Sequence, residues 1–415
     1  MQRVKSFDIS KRQVYEAYKA VKANRGSAGV DKITLEEFDK NLSNNLYKLW
    51  NRMASGTYFP KPVKAVEIPK KNGGVRILGI PTVEDRIAQM VVKNSFEDKV
   101  DPYFLKDSYG YRPGKSAHDA IEVTRKRCWK SNWVLEFDIK GLFDNIDHSL
   151  LMKAVKKHTE SKWEILYIKR WLNGEVKNID GKVVTREVGT PQGGVISPVL
   201  ANLFLHYAFD KWMDRRFINN KWCRYADDGI IHCSSMHQAK YILKELMSRM
   251  KECKLEIHPT KTKIIYCKDS NRKGTYENIE FTFLGYTFRP RKAKAKDGTS
   301  FTSFLPAICN KAKMHIKRTI KSWRLLYQTN KSLKELSKKY NSVIRGWLTY
   351  YGKFGRAEIA KVMEHVNLHL VMWVMRKHKK YKYKRKRASE YLYTIARYTK
   401  NLFYHWDVGI KPMTR

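Results

Sequence analysis

The spacing of hydrophobic and polar residues changes its period along the chain. Residues 133–137 are mostly apolar and rich in β-formers, which predicts a buried strand ending at Asp138. The segment WCRYADDGIIHC places short β-forming runs on both sides of two adjacent carboxylates, which predicts strands joined by a tight bend. Further along, apolar residues recur at steps of three and four over 333–347 and 359–373, which predicts amphipathic helices. The chain therefore combines strand-rich and helical parts.

Shifts in composition divide the chain further. A helix is predicted early, in SKRQVYEAYKAVKANRG, and it ends near Gly26. The segment RPRKAKAKDGTS is basic and poor in apolar residues, which predicts a boundary or mobile loop from Arg289 onward. The helical period beyond it includes a third helix around residues 316–323. These shifts predict four regions: 1–45, 46–290, 291–375 and 376–415.

Three carboxylates are candidates for a metal site. Asp138 follows the apolar strand, and Asp227 and Asp228 lie at the predicted bend. A pair of Mg²⁺ ions takes hard oxygen ligands from separate rigid elements and from substrate phosphates. The competing interpretation is structural, since Asp and Gly readily adopt the backbone angles of a tight turn. The second carboxylate site at Asp138 favours the metal site.

Successive segments of the chain match the ordered blocks of a known enzyme family. In order, they are PKPVKAVEIPKKNGGVRILGIPTVEDR, DSYGYRPGKSAHDAI, the strand of Asp138, GTPQGGVISPVLANLFL, RYADD, LEIHPTKTKI and FTFLGYTF. The ordered set resembles group II intron-encoded reverse transcriptases, and NSVIRGWLTYYGKF resembles their maturase or thumb region. The resemblance implies an α/β right-hand polymerase with an N-terminal extension (1–45), fingers and palm (46–290), a helical thumb or maturase domain (291–375) and a short basic DNA-binding region (376–415).

The resemblance also implies a role for the carboxylates. Asp138, Asp227 and Asp228 would be the catalytic residues, and with Ile139 they would bind two Mg²⁺ ions. One ion would lower the pKa of a primer 3′ hydroxyl, and the other would hold the triphosphate and stabilise charge on the leaving pyrophosphate.

The first substrate contacts are predicted in a fingers hairpin. Residues 72–74, Asn-Gly-Gly, are a strong hairpin signal, and Lys70 and Arg76 flank them. With a three-residue loop the two cations would pair on one face and could clamp a triphosphate, whereas a two-residue loop would place them on opposite faces. The alternative role is a solvated basic edge that resists aggregation.

Two palm residues are assigned from the resemblance alone. Arg112, in YGYRPG, would brace the templating base pair, and Gln192, in TPQGG, would lie under the incoming nucleotide or primer end. Both have structural alternatives, since the Pro-Gly and Gly-Gly pairs that follow them can simply form turns before helices.

Phe143 and Lys261 are further candidates from the resemblance. Phe143 would crowd the 2′ carbon of the incoming nucleotide, and its alternative is a core residue beneath the palm. Lys261, in HPTKTKI, would protonate the leaving pyrophosphate or neutralise its charge. Asp144 and Asp147 lie nearby in sequence but are not assigned to the site, because Asp147 is better explained as a helix cap and Asp144 need not face the metals.

The charge of the chain indicates a polyanionic partner. The chain has 83 Lys and Arg against 40 Asp and Glu, a formal charge of +43, which attracts a polyphosphate backbone and gives salt-sensitive binding. In the run at 376–387, Tyr381 and Tyr383 alternate with cations, a combination suited to phosphate contact and base stacking, although such a run can also be a solvated tail. The candidate nucleic-acid contacts are Lys379, Lys380, Lys382, Lys384, Arg385 and Arg387.

Several other classes are disfavoured. No stretch approaches the roughly 20 apolar residues of a bilayer span, and the amino terminus has no apolar signal core, so no membrane partner is expected. The six cysteines include no C-x-x-C pair, which argues against a zinc module and fits reduced thiols in a cytoplasmic protein. Nothing after residue 376 resembles the Cys- and His-bearing endonuclease of larger group II intron proteins, so second-strand DNA cleavage is not expected.

The sequence thus predicts an RNA-directed DNA polymerase that extends a primer with dNTPs and binds intron RNA to assist splicing. The expected partners are group II intron RNA, an RNA template with a DNA or RNA primer, target DNA and dNTPs. Two alternatives stay open: a group II-like reverse transcriptase that serves host defence or DNA repair, and an RNA-binding splicing factor without polymerase activity. The intact carboxylates at 138, 227 and 228 speak against the second.

Overall fold

A computed structural model of the chain describes residues 5–69 and 74–413. The chain divides into two compact units. Unit 1 is Met1–Ala120 with Leu135–Lys263, and unit 2 is Ile121–Val134 with Ile264–Arg415. The four predicted regions do not coincide with these units, and that finer division stays a prediction.

The described elements up to residue 263 mix helices with short strands. The helices are α1 (Lys11–Ala23), α2 (Leu35–Asp39), α3 (Leu42–Ala54), α4 (Val83–Val100), α5 (Ala117–Cys128), α6 (Leu142–Asn145), α7 (His148–His158), α8 (Lys162–Leu172), α9 (Ser197–Leu205), α10 (Lys211–Arg216) and α11 (Met236–Glu252). The strands are β1 (Val63–Pro69), β2 (Val75–Ile80), β3 (Trp133–Asp138), β4 (Glu175–Lys177), β5 (Val183–Thr185), β6 (Trp222–Tyr225) and β7 (Asp228–Cys233). The predicted early helix, the strand ending at Asp138 and the helix capped by Asp147 are confirmed.

Two sheets organise unit 1. In one, β1 pairs antiparallel with β2 and parallel with β4, and β4 continues antiparallel to β5. In the other, β7 lies between β6 and β3, and the side chain of Asp228 at the start of β7 is within hydrogen-bond reach of Asp138 at the end of β3. This second sheet is what brings the predicted carboxylates together.

Helix α4 forms the buried centre of unit 1. Its Asp85 is fully buried and accepts hydrogen bonds from the Tyr58 hydroxyl (2.7 Å), Trp171 Nε1 (2.8 Å) and Gln89 Nε2 (2.9 Å). Burial raises the pKa of the Asp85 carboxyl. The other end of the Gln89 amide accepts from the backbone N–H of Val195 at 2.7 Å. The α4 core therefore fixes the loop that carries Gln192.

The remaining elements belong to the second part of the chain. The strands are β8 (Lys263–Tyr266), β9 (Phe281–Phe283), β10 (Tyr286–Lys294) and β11 (Ser300–Ile308). The helices are α12 (Asn310–Ser322), α13 (Leu333–Tyr351), α14 (Arg356–Lys377), α15 (Arg385–Tyr398) and α16 (Tyr404–Asp407). The three helices predicted in this part of the chain are confirmed as α12, α13 and α14, and their apolar faces share one buried core that includes Trp373. Their assignment to a thumb stays a prediction.

One detail of the helical pattern was wrong. The buried face of α13 runs through Leu336, Tyr340, Ile344 and Leu348, whereas Val343 is exposed. The apolar stripe predicted over 333–347 consists of residues 333, 336, 340, 343 and 347, and it had placed Val343 in the core because a step of three from Tyr340 fits the helical period as well as a step of four.

The mobile loop predicted from Arg289 onward was also wrong, and its alternative, a domain boundary there, stays a prediction. Residues 286–294 and 300–308 form an antiparallel hairpin, β10–β11, paired along its whole length. The alternation of Lys and Ala in KAKAK has the period of two that a strand requires, and Asp297-Gly298 supplies the turn. Basic composition had hidden this pattern.

Candidate active site

A two-residue turn carries the paired carboxylates. Tyr225 pairs with Asp228 at the ends of β6 and β7, and Ala226 and Asp227 connect them. Ala226 has a φ of 55°, in the left-handed region that non-glycine residues seldom occupy. Such a conformation persists only where the surroundings hold it in place.

A buried arginine anchors this turn through hydrogen bonds. Arg224 is fully buried and bonds both oxygens of Asp210 (2.7 and 2.6 Å), Asn202 Oδ1 (3.0 Å), Ser108 Oγ (2.8 Å) and the Ala226 carbonyl (3.1 Å). These bonds use all five N–H donors of a guanidinium. The network thus ties the strained turn to residues far away in sequence.

The other side of the turn is covered by a glycine backbone. A Cβ atom at Gly110 would lie 2.5 Å from the Ala226 nitrogen, so only glycine allows this approach. The Gly110 carbonyl accepts from Asn202 Nδ2 at 2.7 Å, which links the covering segment to the network under the turn. The position of Asp227 is therefore fixed from both sides.

The end of β3 is anchored by a neighbouring segment. The N–H of Lys140 donates to the Glu256 carbonyl at 2.9 Å, and the N–H of His258 donates to the Asp138 carbonyl at 2.8 Å. These two bonds make Ile139 and Ile257 a non-hydrogen-bonded antiparallel pair. The carbonyl of Ile139 therefore points away from Ile257.

The three carboxylates influence one another. Burial, together with the nearby charges of Asp227 and Asp138, raises the pKa of Asp228 to about 7. Burial and the charge of Asp138 also raise the pKa of Asp227, while Arg76 and Lys261 oppose that shift. Lys261 Nζ bonds Asp138 Oδ2 at 2.7 Å and offsets part of the negative charge. Concentrated negative charge of this kind favours a bound cation.

The donor set suits Mg²⁺ that shares its ligands with a substrate. Within residues 5–69 and 74–413, no three His, Cys, Asp or Glu side chains are grouped so as to enclose an ion. Mg²⁺ is usually held by one or two carboxylates and completed by waters and substrate phosphates, so a full cage is not required. Asp138, Asp227, Asp228 and the Ile139 carbonyl offer only oxygen atoms, which fits this ion.

The β1–β2 register differs from both predicted hairpins. Arg76 lies opposite Ile68, and Val75 lies opposite Pro69. A three-residue loop that pairs Lys70 with Arg76 would require a register shifted by two residues, and a two-residue loop would require a shift of one. Lys70 itself lies outside the described residues.

Arg76 instead contacts Gln192. Its Nε donates to Gln192 Oε1, and Gln192 Nε2 donates to Asp144 Oδ2 at 2.9 Å. The N–H of Gly79 donates to the Gln192 carbonyl at 2.7 Å, so strand β2 also holds the main chain of this residue. Asp144, unassigned from the sequence, is thereby placed in the same group as Arg76 and Gln192.

Arg112 is held by hydrogen bonds to acceptors of its own segment. Its guanidinium bonds both oxygens of Asp101 (2.7 and 3.1 Å) and the carbonyls of Asp101 (3.0 Å), Leu105 (2.8 Å) and Ser108 (3.0 Å). All five donors are used, and the side chain is only 7% exposed. These bonds hold the guanidinium against its own segment, and the predicted contact of Arg112 with the templating base pair stays a prediction.

Phe143 lies in the short helix α6 and is 8% exposed. Its carbonyl accepts from the N–H of Thr190 at 2.7 Å, which ties α6 to the segment that precedes Gln192. This burial fits the core alternative, and the role of Phe143 in sugar selection stays a prediction.

The candidate nucleic-acid contacts near the carboxyl end are all exposed. Lys379, Lys380 and Lys382 lie in or beside a short 3₁₀ turn, and Lys384, Arg385 and Arg387 lie at the start of α15. The two tyrosines differ, since Tyr381 packs on Tyr391 at 5.1 Å while Tyr383 is 85% exposed with a φ of 59°. Of these two tyrosines, only Tyr383 is free to stack on a base.

Two supporting groups were missed by sequence reasoning. Arg224 stands directly before the carboxylate turn, and a charged residue inside an otherwise apolar strand was the signal for a buried ion pair. Its partner Asp210 lies in a five-residue π-helix, His206–Asp210, which has no signal in the sequence. The hydrogen-bonded pair of Asp85 and Gln89 in α4 also has no signal in the sequence, so it was missed as well.

Comparisons with known proteins agree with these features. The sequence matches the family described as reverse transcriptase (RNA-dependent DNA polymerase) over residues 68–288, more than half of the chain, and the group II intron maturase-specific domain over residues 313–392. Among the helices that the structure describes, none is long and apolar enough to cross a membrane.

Similar proteins cover different shares of the chain. Protein YkfC of Escherichia coli (strain K12) is 29% identical over 321 residues, 67% of this chain and 81% of that protein. Group II intron-encoded protein LtrA of Lactococcus lactis subsp. cremoris is 36% identical over 196 residues, 46% of this chain and 32% of that protein. A solved telomerase structure from Candida albicans, 12% identical, has a TM-score of 0.46 and covers 85% of this chain and 66% of that chain.

Proposed function

Since the chain belongs to the reverse transcriptase family and carries a group II intron maturase-specific domain, we propose that it extends a primer 3′ hydroxyl with dNTPs on an RNA template by a two-metal mechanism. The observation that carries the proposal is the meeting of Asp138, Asp227 and Asp228 at one edge of the β6–β7–β3 sheet. A structural turn alone would not need three neighbouring carboxylates, where burial and then the charges of Asp227 and Asp138 raise the pKa of Asp228 to about 7.

The three carboxylates and the Ile139 carbonyl would hold a pair of Mg²⁺ ions. When bound, these ions would lower the pKa of the primer hydroxyl and offset the charge of the triphosphate and of the departing pyrophosphate. Asp227 and Asp228 are oriented by a turn that Arg224 and Gly110 fix, so they are aligned before substrate arrives. Such alignment lowers the entropic cost of reaching the reactive geometry.

The cations around the carboxylates have their own roles in the proposal. Lys261 balances Asp138 while the site is free of substrate, and it turns to the phosphates or to the leaving pyrophosphate during the reaction. Arg76 stands within electrostatic reach of Asp227 and would bind the triphosphate of the incoming nucleotide. Gln192, between Arg76 and Asp144, would support the nucleotide or the primer end.

Sugar selection is assigned to Phe143. The ring follows the metal-binding strand by five residues, in a helix whose position is tied to residue 190. A ribose 2′ hydroxyl would collide with the ring, whereas a deoxyribose would pack against it.

The remaining partners follow from the maturase-specific domain and from charge. We assign group II intron RNA, target DNA and the RNA template with its primer to the basic surface that includes residues 379–387, with intron RNA binding assisting splicing and mobility. The match to LtrA covers only 32% of that protein, so activities of the whole relative stand here as proposals.

The test of the polymerase proposal is Asp227→Asn, which keeps the shape of the side chain and removes its charge. We expect kcat of primer extension with Mg²⁺ to fall at least about 100-fold, because the variant removes a charge that holds the metal ions. Such a fall corresponds to the loss of about twice 1.36 kcal/mol of transition-state stabilisation, since each 1.36 kcal/mol is tenfold in rate. RNA affinity should change by less than about twofold, because many distributed cations provide it.

The matched control is Asp214→Asn, an exposed carboxylate on α10 of the same unit. It should leave extension unchanged. Normal extension by Asp227→Asn would remove the active-site assignment. Wild-type protein that binds RNA and never extends a primer would instead favour a splicing factor without polymerase activity.

A further inference from the structure

A cationic cavity lies within unit 2, between the β10–β11 hairpin and the first turn of α14. Its volume is about 480 Å³. The side chains that line it include five cations: Arg125, Arg289, Arg291, Lys292 and Lys353. None of the residues so far assigned to polymerase chemistry or to the basic segment at 379–387 belongs to it.

The acidic residue in the wall, Glu358, offsets only part of this positive charge. Glu358 accepts a hydrogen bond from Lys313 on one oxygen and from Lys361 on the other, at 3.1 Å. The bond from Lys313 is the main reason that the pKa of Glu358 falls to about 2. Glu358 is thus ionised and already paired with two lysines, and the cavity keeps a positive charge.

Arg291 is half-buried, and Glu358 and Glu280 act on it through their charge without a hydrogen bond among the described residues. Its Nε donates to the Leu305 carbonyl at 3.2 Å, and its Nη2 donates to the Thr287 carbonyl at 3.3 Å. Burial lowers the pKa of its guanidinium, and the neighbouring charge of Arg289 lowers it further. Carbonyl partners fix the side chain in place without cancelling its charge.

Arg125 is oriented by two aromatic rings. Its guanidinium carbon lies 5.2 Å from the Phe354 ring centre and 5.1 Å from that of Trp129. Its Nη2 donates to Glu122 at 2.8 Å, whereas its Nε is buried and has no partner among the described residues. An unsatisfied buried donor costs free energy, which a hydrogen-bond acceptor in the cavity would recover.

The first turn of α14 adds backbone donors to the same cavity. The 22-residue helix starts after Gly355, which has a φ of 72° and makes no capping hydrogen bond through a side chain. A Cβ atom at Gly355 would lie 2.5 Å from the Cβ of Ala307, so glycine allows β11 to reach this turn. The N–H of Glu358 donates to the Gly355 carbonyl at 2.9 Å, and the helix dipole together with the other first-turn N–H groups favours an anion there.

We propose that this cavity binds a phosphate group of a nucleic-acid strand. Arginine forks and the N–H groups of a helix start are suited to tetrahedral phosphate oxygens, and the surplus of cations suits a polyanionic chain more than a single carboxylate. The assignment of the strand as RNA rests on the proposed function. Free inorganic phosphate has the same chemistry, and the experiment separates the two sources.

The first variant removes two exposed cations of the cavity, Arg289→Gln with Lys353→Gln. Binding of a single-stranded RNA of about 20 nucleotides is measured from low to high salt. We expect the slope of log affinity against log salt to fall by up to about 1.4, which is roughly 0.7 for each phosphate that is no longer neutralised. The control, Lys294→Gln with Lys296→Gln, removes two exposed charges from the same hairpin outside the cavity and should change the slope much less.

A second variant keeps the fold while blocking the site. Ala357→Glu places a carboxylate in the first turn of α14, where an acidic residue stabilises a helix. We expect an unchanged or higher melting temperature together with about tenfold weaker RNA binding in low salt. The control is Gly346→Glu on α13, where an added Cβ meets no atom within 4 Å, and it should leave RNA affinity within about twofold.

Each result of these experiments either supports or contradicts phosphate binding in the cavity. Equal slope changes in the cavity variant and its control, or full RNA affinity in Ala357→Glu, would overturn the proposal. Inorganic phosphate that binds wild type and not Ala357→Glu, with RNA affinity the same in both, would assign the cavity to a free anion and also overturn it.

Extension of a preformed, saturating primer-template is measured in parallel. Failure of wild type there would count against the polymerase proposal, whereas normal extension with insensitive RNA binding would count against the cavity alone.

Discussion

The carboxylate turn of unit 1 (residues 225–228) and the basic segment of unit 2 (residues 379–387) hold their charged side chains in opposite ways. Under the turn, Arg224 is fully buried and every donor of its guanidinium is used within the protein. In the segment at 379–387, the candidate contact side chains are exposed to solvent. One region fixes a few groups in a single arrangement, and the other offers many similar charges.

This difference indicates how each region responds to substitution. A buried, fully bonded group cannot be replaced without leaving partners unsatisfied, so its loss has a large effect. Exposed cations act on a polyanion through separate phosphate contacts, so each substitution has a modest effect that depends on salt. The predictions below run from the first kind of effect to the second.

The largest effect is expected for Arg224→Met. It leaves Asp210 buried without its partner, and we expect the free energy of unfolding to fall by about 3–5 kcal/mol. Primer extension should be lost, since the Ala226 carbonyl loses its anchor and Asp227 its alignment. Chemical denaturation and single-turnover extension measure the two effects.

The control for this variant is Arg216→Met, which breaks the exposed ion pair with Glu245 (3.0 Å). Its cost should be about 0–1 kcal/mol. The double variant Arg224→Met with Asp210→Leu should recover stability but not extension. If it recovered both, the network would be structural and would not align the turn.

Phe143→Ala should have an intermediate effect on function. If Phe143 selects the sugar, the folded variant should have a higher ratio of kcat/KM for ribonucleotides to kcat/KM for deoxynucleotides. If Phe143 is only a core residue, the free energy of unfolding of the variant should fall by roughly 3–5 kcal/mol and this ratio should stay unchanged. Phe209→Ala, a fully buried residue of the same unit, is the control for the core effect alone. An unchanged ratio in folded Phe143→Ala would end its role in selection.

The smallest effects per residue are expected in the basic segment. Replacing Lys382, Lys384, Arg385 and Arg387 by Gln should lower the salt slope of RNA or DNA binding by up to about 0.7–0.9 for each phosphate that is no longer neutralised. Stability should change little, since the four side chains are exposed. Lys334, Lys338 and Lys339 on α13 are the matched exposed cations. Equal slope changes per charge in both sets would show that position within the basic surface does not matter.

The sequence predicted the pieces of the site better than their connections. Asp138, Asp227 and Asp228 were found because strand ends and a tight turn have local signals, and the neighbouring strands then place them together. The bonds of Arg112 to five acceptors of its own protein did not follow from the sequence, because a guanidinium has the same sequence signal whether it meets a nucleotide or the protein itself.

The same distinction explains the β-hairpins. The fingers hairpin was predicted from Asn-Gly-Gly, yet its register, with Arg76 opposite Ile68, did not follow from the turn residues. The β10–β11 hairpin was missed because its cations outweighed its alternation. Register and pairing depend on which faces are buried, and a basic strand gives little hydrophobic contrast to reveal them.

The sequence by itself determined the family, the large positive charge, the three carboxylates and the helical period of α12 to α14, because these depend on residue identity and local spacing. Only the tertiary structure decided that Arg224 supports the turn, that Gln192 joins Arg76 to Asp144, and that cations from distant segments share one cavity. Such contacts join residues that lie far apart along the chain. Their geometry is set by how the whole core packs, which no local pattern encodes.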